Sequence, residues 1–524
     1  MAIKVGITTV IDDSRNIINV GNFGDSNTVY YGDGSNLTGV SGDGGDSEIG
    51  VNEFVAIGTI PNGAAVSLNT DGTVGVVTTS AFSKIGVGTA VTFDSSVGGT
   101  LELSAIYDST NGKVVIAYKD AGNSSYGTAI VGTVSGTSIS FGSPVVFQSS
   151  STTDISSTYD STNQKVVISY QGPSDRGTAI VGTVSGTSIS FGTAATFETG
   201  QTDNTSIAYD SSNQKVVIAY TDTDADNGKA VVGTVSGTSI SFGSPVTFES
   251  DDIVYPSVTF DSHVNKVVIA YQESIGTFTK PGKAVVGTVS GDTISFGLTY
   301  TFHSGGTAYI STVYDSLNEK VVILYQDDEN SGHATAIVVT VGSDSSLSFG
   351  SDVVVEASNN KYISSVFDSD ANKIIIVFRG KVGSDWVATV VGTVSGTSIS
   401  FDSTEVIEQN GCTGTAIIYD STNKKAVAAY TTDASTNGKS VVLTTPIQIG
   451  TLLTSENYIG IAAEAISDGA TGKITTLSGI NTGQTGLTIG RTYYVQNNGS
   501  VGLSTGSPPV IAGTSISSTK MIVS

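Results

Sequence analysis

Three observations predict an all-β fold made by repetition. First, a unit reading Tyr-Asp-Ser-x-Asn-x-Lys-Val-Val-Ile-Ala-Tyr recurs with small variations, its Asp falling at Asp108, Asp160, Asp210, Asp261, Asp315, Asp368 and Asp420. The spacings are 52, 50, 51, 54, 53 and 52 residues, a period that marks a repeat architecture. Second, each repeat holds four short runs rich in Val, Ile, Thr, Tyr and Phe, split by turn residues, and none is long enough for a stable helix. Third, runs such as Lys165–Tyr170 are almost continuously apolar, so both faces of the strand are covered.

The repeat from Ser157 to Glu198 serves as the type. Run a ends at Tyr159, and Asp160-Ser161-Thr162-Asn163 turns the chain. Run b is Lys165–Tyr170, and a polar loop follows over 171–177. Run c is Thr178–Val184, and Ser185-Gly186-Thr187-Ser188 makes the next tight turn. Run d is Ile189–Phe197, where Gly192 signals a bulge or bend. Four antiparallel strands, buried on both faces and repeated seven times, predict a seven-bladed β-propeller.

The two ends of the repeat predict how such a ring closes. The seventh unit has runs a (Thr415–Tyr419), b (Lys425–Tyr430) and c (Lys439–Leu443) but stops at Pro446 without a d run. An orphan d run, Lys84–Phe93, precedes the first unit and aligns with Ser138–Phe147. The N-terminal strand is therefore expected to complete the last blade. The domain reading is an attachment segment over 1–50, a small β module over 51–81, a propeller over 82–446 and a small β domain over 447–524. The Asn62-Gly63 and Asp71-Gly72 turns place hairpins in the 51–81 module, which could instead be an incomplete eighth unit.

Composition narrows the function. The 524-residue chain has 63 Gly, 9 Pro and a net charge of −24, so Lys and Arg are too few to neutralise phosphates and no nucleic-acid partner is expected. Cys412 stands alone, which precludes an intrachain disulfide. No run reaches membrane-spanning length, and Met1–Gly6 lacks the apolar core of a signal peptide, so membrane insertion is not expected. Helical periodicity is absent apart from a short stretch near Glu464.

The first 45 residues carry Asp-x-Ser-Arg-x-Ile-x-Asn-Val (Asp12–Val20) and Tyr-Gly-Asp-Gly-Ser-x-Leu-Thr-Gly-Val (Tyr31–Val40). This pair resembles N-terminal modules of virion structural and tail-fibre-like proteins of tailed phages, especially marine cyanophages. Gly490–Gly499 and Ala512–Val523 resemble the small C-terminal β domain of phage fibre and baseplate-associated proteins. The resemblance implies attachment to other virion proteins, oligomerisation with a trimer favoured, and a virion location after synthesis in a host cytoplasm. It implies no ligand.

Candidate site residues fall in four groups. In the repeated Asp/Lys pair, from Asp108/Lys113 to Asp420/Lys425, the Asp is expected to cap the turn with Lys across the hairpin, because seven copies cannot all be catalytic. Asp222, Asp224 and Asp226 alternate before Asn227-Gly228, a pattern that suits Ca²⁺, although a solvated acidic loop is the plainer reading. The b–c and d–a loops vary between repeats and share one face, which makes that face the candidate recognition surface. Its aromatics, Tyr126, Tyr255, Phe278, Tyr309, Tyr362 and Trp386, are of the kind that stack on sugar rings, while loop anchoring is the plainer role of each. Finally, His263, His303 and His333 lie in different repeats and suggest no metal triad.

The sequence thus predicts a non-enzymatic phage virion protein, with no required cofactor, whose propeller presents a face to a host-surface polysaccharide. The alternatives are a propeller glycoside hydrolase or lyase and a non-binding spacer. A hydrolase needs two carboxyl groups about 5–9 Å apart, and no such pair stands out in the sequence.

Overall fold

In a computed structural model, the described residues are 3–5, 8–11, 50–69, 72–78, 84–95, 100–274, 280–380, 385–432, 437–445, 450–452, 457–496, 499–505 and 509–524. They form an all-β molecule of antiparallel sheets with no α-helix among them, only single 3-10 turns at Ala121–Asn123 and Pro173–Asp175. Near Glu464 the chain bends, and the Glu464 carboxylate accepts the Lys473 N–H at 3.0 Å. The two N-terminal motifs, 12–20 and 31–40, lie outside the described residues.

The chain divides into two compact units, 79–449 and 1–78 with 450–524. In the larger unit each repeat builds one antiparallel sheet in the order d-c-b-a. In the type repeat, Thr153–Asp160 pairs with Lys165–Gln171, which pairs with Arg176–Ser185, which pairs with Ser188–Phe191 and the start of Ala195–Asp210. The b strands are buried along nearly their whole length, as their continuous apolar sequence requires. Alternate residues of one b strand enter different cores. Val114, Ile116 and Tyr118 pack with Val427, Ala429 and Val442 of the last repeat, while Val115 and Ala117 pack with Val166, Ile168 and Tyr170 of the second. The same alternation joins each repeat to the next through five further clusters. Burying each such Val or Ile contributes about 1.5–3 kcal/mol.

The turn Asp holds the a–b hairpin. Asp160 Oδ1 accepts the Asn163 N–H at 2.9 Å and Oδ2 accepts the Asn163 side-chain amide at 2.8 Å; Asp210, Asp315 and Asp420 repeat both bonds. The Lys of the pair takes a different partner from the one across the turn. Lys113, Lys215, Lys266 and Lys373 donate to Thr133, Thr234, Thr288 and Thr393 on the c strands. The d-run glycine marks a close approach. A Cβ at Gly192 would lie 1.8 Å from the Thr238 carbonyl oxygen of the next repeat, and one at Gly142 would lie 1.9 Å from that of Thr187.

The ends of the larger unit meet. Gly438–Thr444, the last c strand, pairs with Gly86–Val87 and Val91–Asp94, and Ile85 is buried in the core between the sixth and seventh repeats. Tyr159 donates to Thr110 of the repeat before it and Tyr209 to Thr162; Tyr107 of the first repeat donates to Thr422 of the last at 2.6 Å.

The smaller unit departs from the sequence reading of two separate modules. Val51–Val55, Ala65–Leu68 and Val74–Thr78 share one six-stranded sheet with Gly450–Leu452, Tyr458–Ala462 and Thr471–Thr475. A five-stranded sheet from residues 480–523 adds a second layer, with Tyr493, Val495, Ala512 and Met521 in the core beside Ala65 and Ile461. These strands pair across most of the sequence length, so no periodicity announces them.

Candidate functional site

The a strands line a cavity of about 570 Å³. Each carries a β-bulge ahead of the residue four before the turn Asp, which is Ser in six repeats and Ala416 in the seventh, with the register shifting between Thr153 and Ser156, between Asp203 and Ser206, and at the matching place in the other repeats. A bulge inserts a residue and re-aims a side chain. The residue re-aimed here lies six positions before the turn Asp. In chain order it is Glu102, Asp154, Asn204, Tyr255, Tyr309, Tyr362 and Gly414, and all seven line the cavity. Five of these have left-handed backbones: Asp154 φ 52°, Asn204 φ 53°, Tyr255 φ 54°, Tyr309 φ 50° and Tyr362 φ 52°. Asn and Asp tolerate this region, whereas for a bulky ring it is strained.

Hydroxyl contacts hold neighbouring a strands together around the cavity. The Ser104 and Ser157 hydroxyls are 2.8 Å apart, those of Ser257 and Thr312 3.0 Å, and those of Ser311 and Ser365 2.9 Å. Ser156 and Ser206 accept the N–H groups of Ile207 and Val258, and Ser364 donates to the Thr415 carbonyl at 2.7 Å.

The wall is chemically divided. Tyr255 and Tyr309 have ring centroids 5.1 Å apart at 36°, and Tyr309 and Tyr362 are 5.0 Å apart at 60°, so three half-buried rings form one continuous aromatic arc. Burial raises the Tyr255 and Tyr309 phenols above their usual value and keeps them neutral. The other arc is acidic and amide-bearing. Glu102 accepts the Asp154 backbone N–H. Burial, then the Asp154 charge, pushes the Glu102 carboxyl up to about 7; Lys119 and the Asp154 N–H oppose the rise. Asp154 is also raised, chiefly by burial and also by Asp203, against the Asn204 N–H, Thr153 and Lys119. Glu102 and Asp154 are the charged residues among the described lining, and no Lys or Arg joins them there.

The aromatic candidates therefore separate. Tyr255, Tyr309 and Tyr362 come together, but in strand bulges rather than as exposed loop rings. Tyr126 and Trp386 each begin a c strand, half-buried and opposite Asp120 and Gly380, and neither lines the cavity. Phe278 lies outside the described residues.

The acidic loop is also rearranged. Asp222 is buried and ion-paired to Lys229, and its carboxylate accepts the N–H groups of Asp224 and Ala225. Asp224 accepts the Gln201 N–H at 3.0 Å, and Asp226 is exposed with φ 48°. Among the described residues the acidic oxygens that converge within 4.8 Å belong instead to Glu249, Asp251 and Glu273. There the Lys283 ammonium sits against Glu273 and 3.5 Å from Glu249, and Tyr271 donates to Glu249 at 2.9 Å. A built-in cation already meets that charge.

The histidines stay apart. His263 Nδ1 is 3.0 Å from Glu319, His303 Nε2 is 3.4 Å from Asp327, and His333 opens the strand His333–Val341. Sequence reasoning missed Glu102, Asp154 and Asn204. A signal was present in the column six residues before each turn Asp, which reads Glu, Asp, Asn, Tyr, Tyr, Tyr, Gly, polar or aromatic in six of seven repeats and two residues ahead of a column that is Ser in six of them.

No protein-family model and no curated protein matches the chain. Among solved structures it is similar to a Lactobacillus plantarum protein (12% identity, TM-score 0.43, covering 71% of this chain and 98% of that one). It is also similar to a Dyadobacter fermentans protein of unknown function (13% identity, TM-score 0.41, covering 58% and 98%). A third is the SapL1 lectin in complex with alpha methyl fucoside (10% identity, TM-score 0.39, covering 60% and 96%). Likenesses this distant carry no functional inference.

Proposed function

We propose that the larger unit is a closed seven-bladed propeller that binds a glycan in its axial cavity, and that the protein is a recognition component of a phage virion. Ring closure is supported by the N-terminal strand on the last c strand, by the bond from Tyr107 to Thr422 and by the core shared between first and last repeats. The virion role is supported by the motif pairs at the two ends of the chain.

One observation carries the glycan reading: Tyr255, Tyr309 and Tyr362 form an aromatic wall opposite Glu102, Asp154 and Asn204 in one cavity. Ring faces stack on the apolar face of a sugar, and carboxylate and amide groups accept and donate to its hydroxyls. The natural ligand on this reading is a host-surface polysaccharide.

A hydrolase is the second reading, because a carboxyl raised to about 7 is what a general acid requires. Binding is favoured because Glu102 and Asp154 stand side by side on adjacent strands of one wall, joined by the Asp154 N–H, rather than flanking a sugar from opposite sides. The test is a glycan array with purified protein, run beside a reducing-sugar release assay. Binding without release, lost in Tyr255→Ala/Tyr309→Ala, is expected. Release of sugar overturns the non-enzymatic reading, and silence in both assays leaves a spacer.

A further inference from the structure

The cavity wall has a polarity that its architecture does not demand. Seven equivalent positions point at one axis, and the repeat would place the same residue at each if packing alone decided. Instead the two carboxyls and the amide occupy three consecutive positions, and the three rings occupy the next three. A wall divided this way suits a ligand that is itself divided. We infer that the cavity selects a sugar carrying a free amine, with its ammonium group between Glu102 and Asp154 and its ring face on the Tyr255–Tyr309–Tyr362 arc. This rests on the glycan reading above and narrows it to a class of sugar.

The chemistry on each side supports this. Two acidic groups share the wall with no lining Lys or Arg, so an ammonium brings the counter-charge that the wall itself lacks. Tyrosine faces attract a nearby cation and also stack on a pyranose, so the rings serve both parts of the ligand. Elsewhere the molecule meets converging acids with its own lysines: Lys229 beside Asp222 and Glu198, Lys283 beside Glu249 and Glu273, Lys439 beside Glu408. In the cavity Lys119 acts on Glu102 and Asp154 only from outside the lining, and both carboxyls stay raised despite it, so the pair is left without a full counter-charge.

The inference carries a bell-shaped pH signature. Glu102 faces Asp154 on the next a strand and Lys119 on its own b strand, and Asp154 faces Asp203. The ammonium prefers the ionised carboxyl, and the sugar amine itself loses its proton above about pH 7–8, so affinity peaks near neutrality, falls below pH 7 as Glu102 takes up its proton and falls again at alkaline pH as the amine becomes neutral. One proton competing with one cation gives about a tenfold loss per pH unit on the acid side. Binding near pH 6.5 releases a proton to the buffer.

The test is calorimetric titration of the full chain with glucosamine disaccharides and trisaccharides and with their N-acetylated counterparts, at pH 6, pH 7 and pH 9. Expected are binding of the amines that is strongest at pH 7, several-fold weaker at pH 6 and weaker again at pH 9, and at least tenfold discrimination against the acetylated forms at pH 7. Glu102→Gln and Asp154→Asn should each cost at least tenfold for the amine, with circular dichroism reporting the fold. Equal binding of amine and acetylated sugars overturns the inference and leaves the glycan reading standing. Amine binding that survives the Glu102→Gln/Asp154→Asn double variant also overturns it, since the attraction then comes from the −24 net charge at large. A protein that binds no sugar on any array defeats the glycan reading itself.

Discussion

Two positions of the repeat lie six residues apart on the same strand and behave in opposite ways. The turn Asp is present in all seven copies, buried, and spent on local hydrogen bonds. The bulge position holds five residue types in seven copies, Tyr in three of them, and faces a shared cavity. The first repeats because the hairpin it closes repeats. The second is free to vary because the bulge, not the side chain, sets the backbone there. Constancy in this chain reports folding, and controlled variation within a constant frame reports the site.

The largest effect expected from this contrast is at the constant position. Asp315 accepts the N–H groups of Leu317 at 3.1 Å and Asn318 at 2.9 Å, and the Asn318 amide at 2.8 Å. Asp315→Ala removes three charge-assisted hydrogen bonds from a buried carboxylate that closes the turn and should cost about 2–4 kcal/mol. Denaturant unfolding measures the loss. Sugar binding at temperatures below the transition should stay at the wild-type level, and a joint loss of both would erase the distinction between the two positions.

A smaller effect, with a sign that depends on pH, is expected at Glu102. Its folded-state pKa of about 7 lies above the ordinary 4.5, so the folded protein holds this proton more tightly than the unfolded chain does. The ionised form is therefore destabilising, and stability falls as pH rises from about 4.5 through 7. Glu102→Gln removes that fall. The variant should match the parent at pH 4 and gain about 1–3 kcal/mol at pH 8. Melting curves across the range read it directly, and a variant less stable at pH 8 would contradict the assignment.

The fold was readable because its physics is periodic. The turn at Asp160, the covered strand Lys165–Gln171 and the missing d strand after Gly438–Thr444 all leave marks at fixed spacing. The sheet joining Val51–Val55 to Thr471–Thr475 leaves none, because its partners occur once. The site was half legible. Tyr255, Tyr309 and Tyr362 drew attention as aromatics, but a register shift of one bulge decides whether they sit on a loop or face the cavity, and composition does not encode that shift. Glu102 and Asp154 were hidden in a chain with 47 acidic residues, where one carboxyl carries little signal until it has a position. The alternating aspartates were half legible for a related reason: the pattern shows Asp222 but not the Lys229 that engages it.

The smallest stability effect, and the sharpest separation of the two positions, belongs to Tyr309→Asn. The repeat has already made this exchange, since Asn204 occupies the equivalent bulge at φ 53° against 50° for Tyr309. Asn tolerates the left-handed region, so the substitution relieves strain of about 1 kcal/mol. It gives up ring contacts with Tyr255 and Tyr362 of about 0.5–1.5 kcal/mol each. The net is a loss of about 0–2 kcal/mol, and the melting temperature should fall by no more than a few degrees. Sugar affinity should nevertheless fall at least tenfold, because the middle ring of the arc is gone. A ring held in a costly backbone conformation for little net stability is one kept for what it touches. If Tyr309→Asn instead unfolds the protein while sugar affinity in the surviving fraction is unchanged, the arc is a packing feature and the cavity loses its claim to be the site.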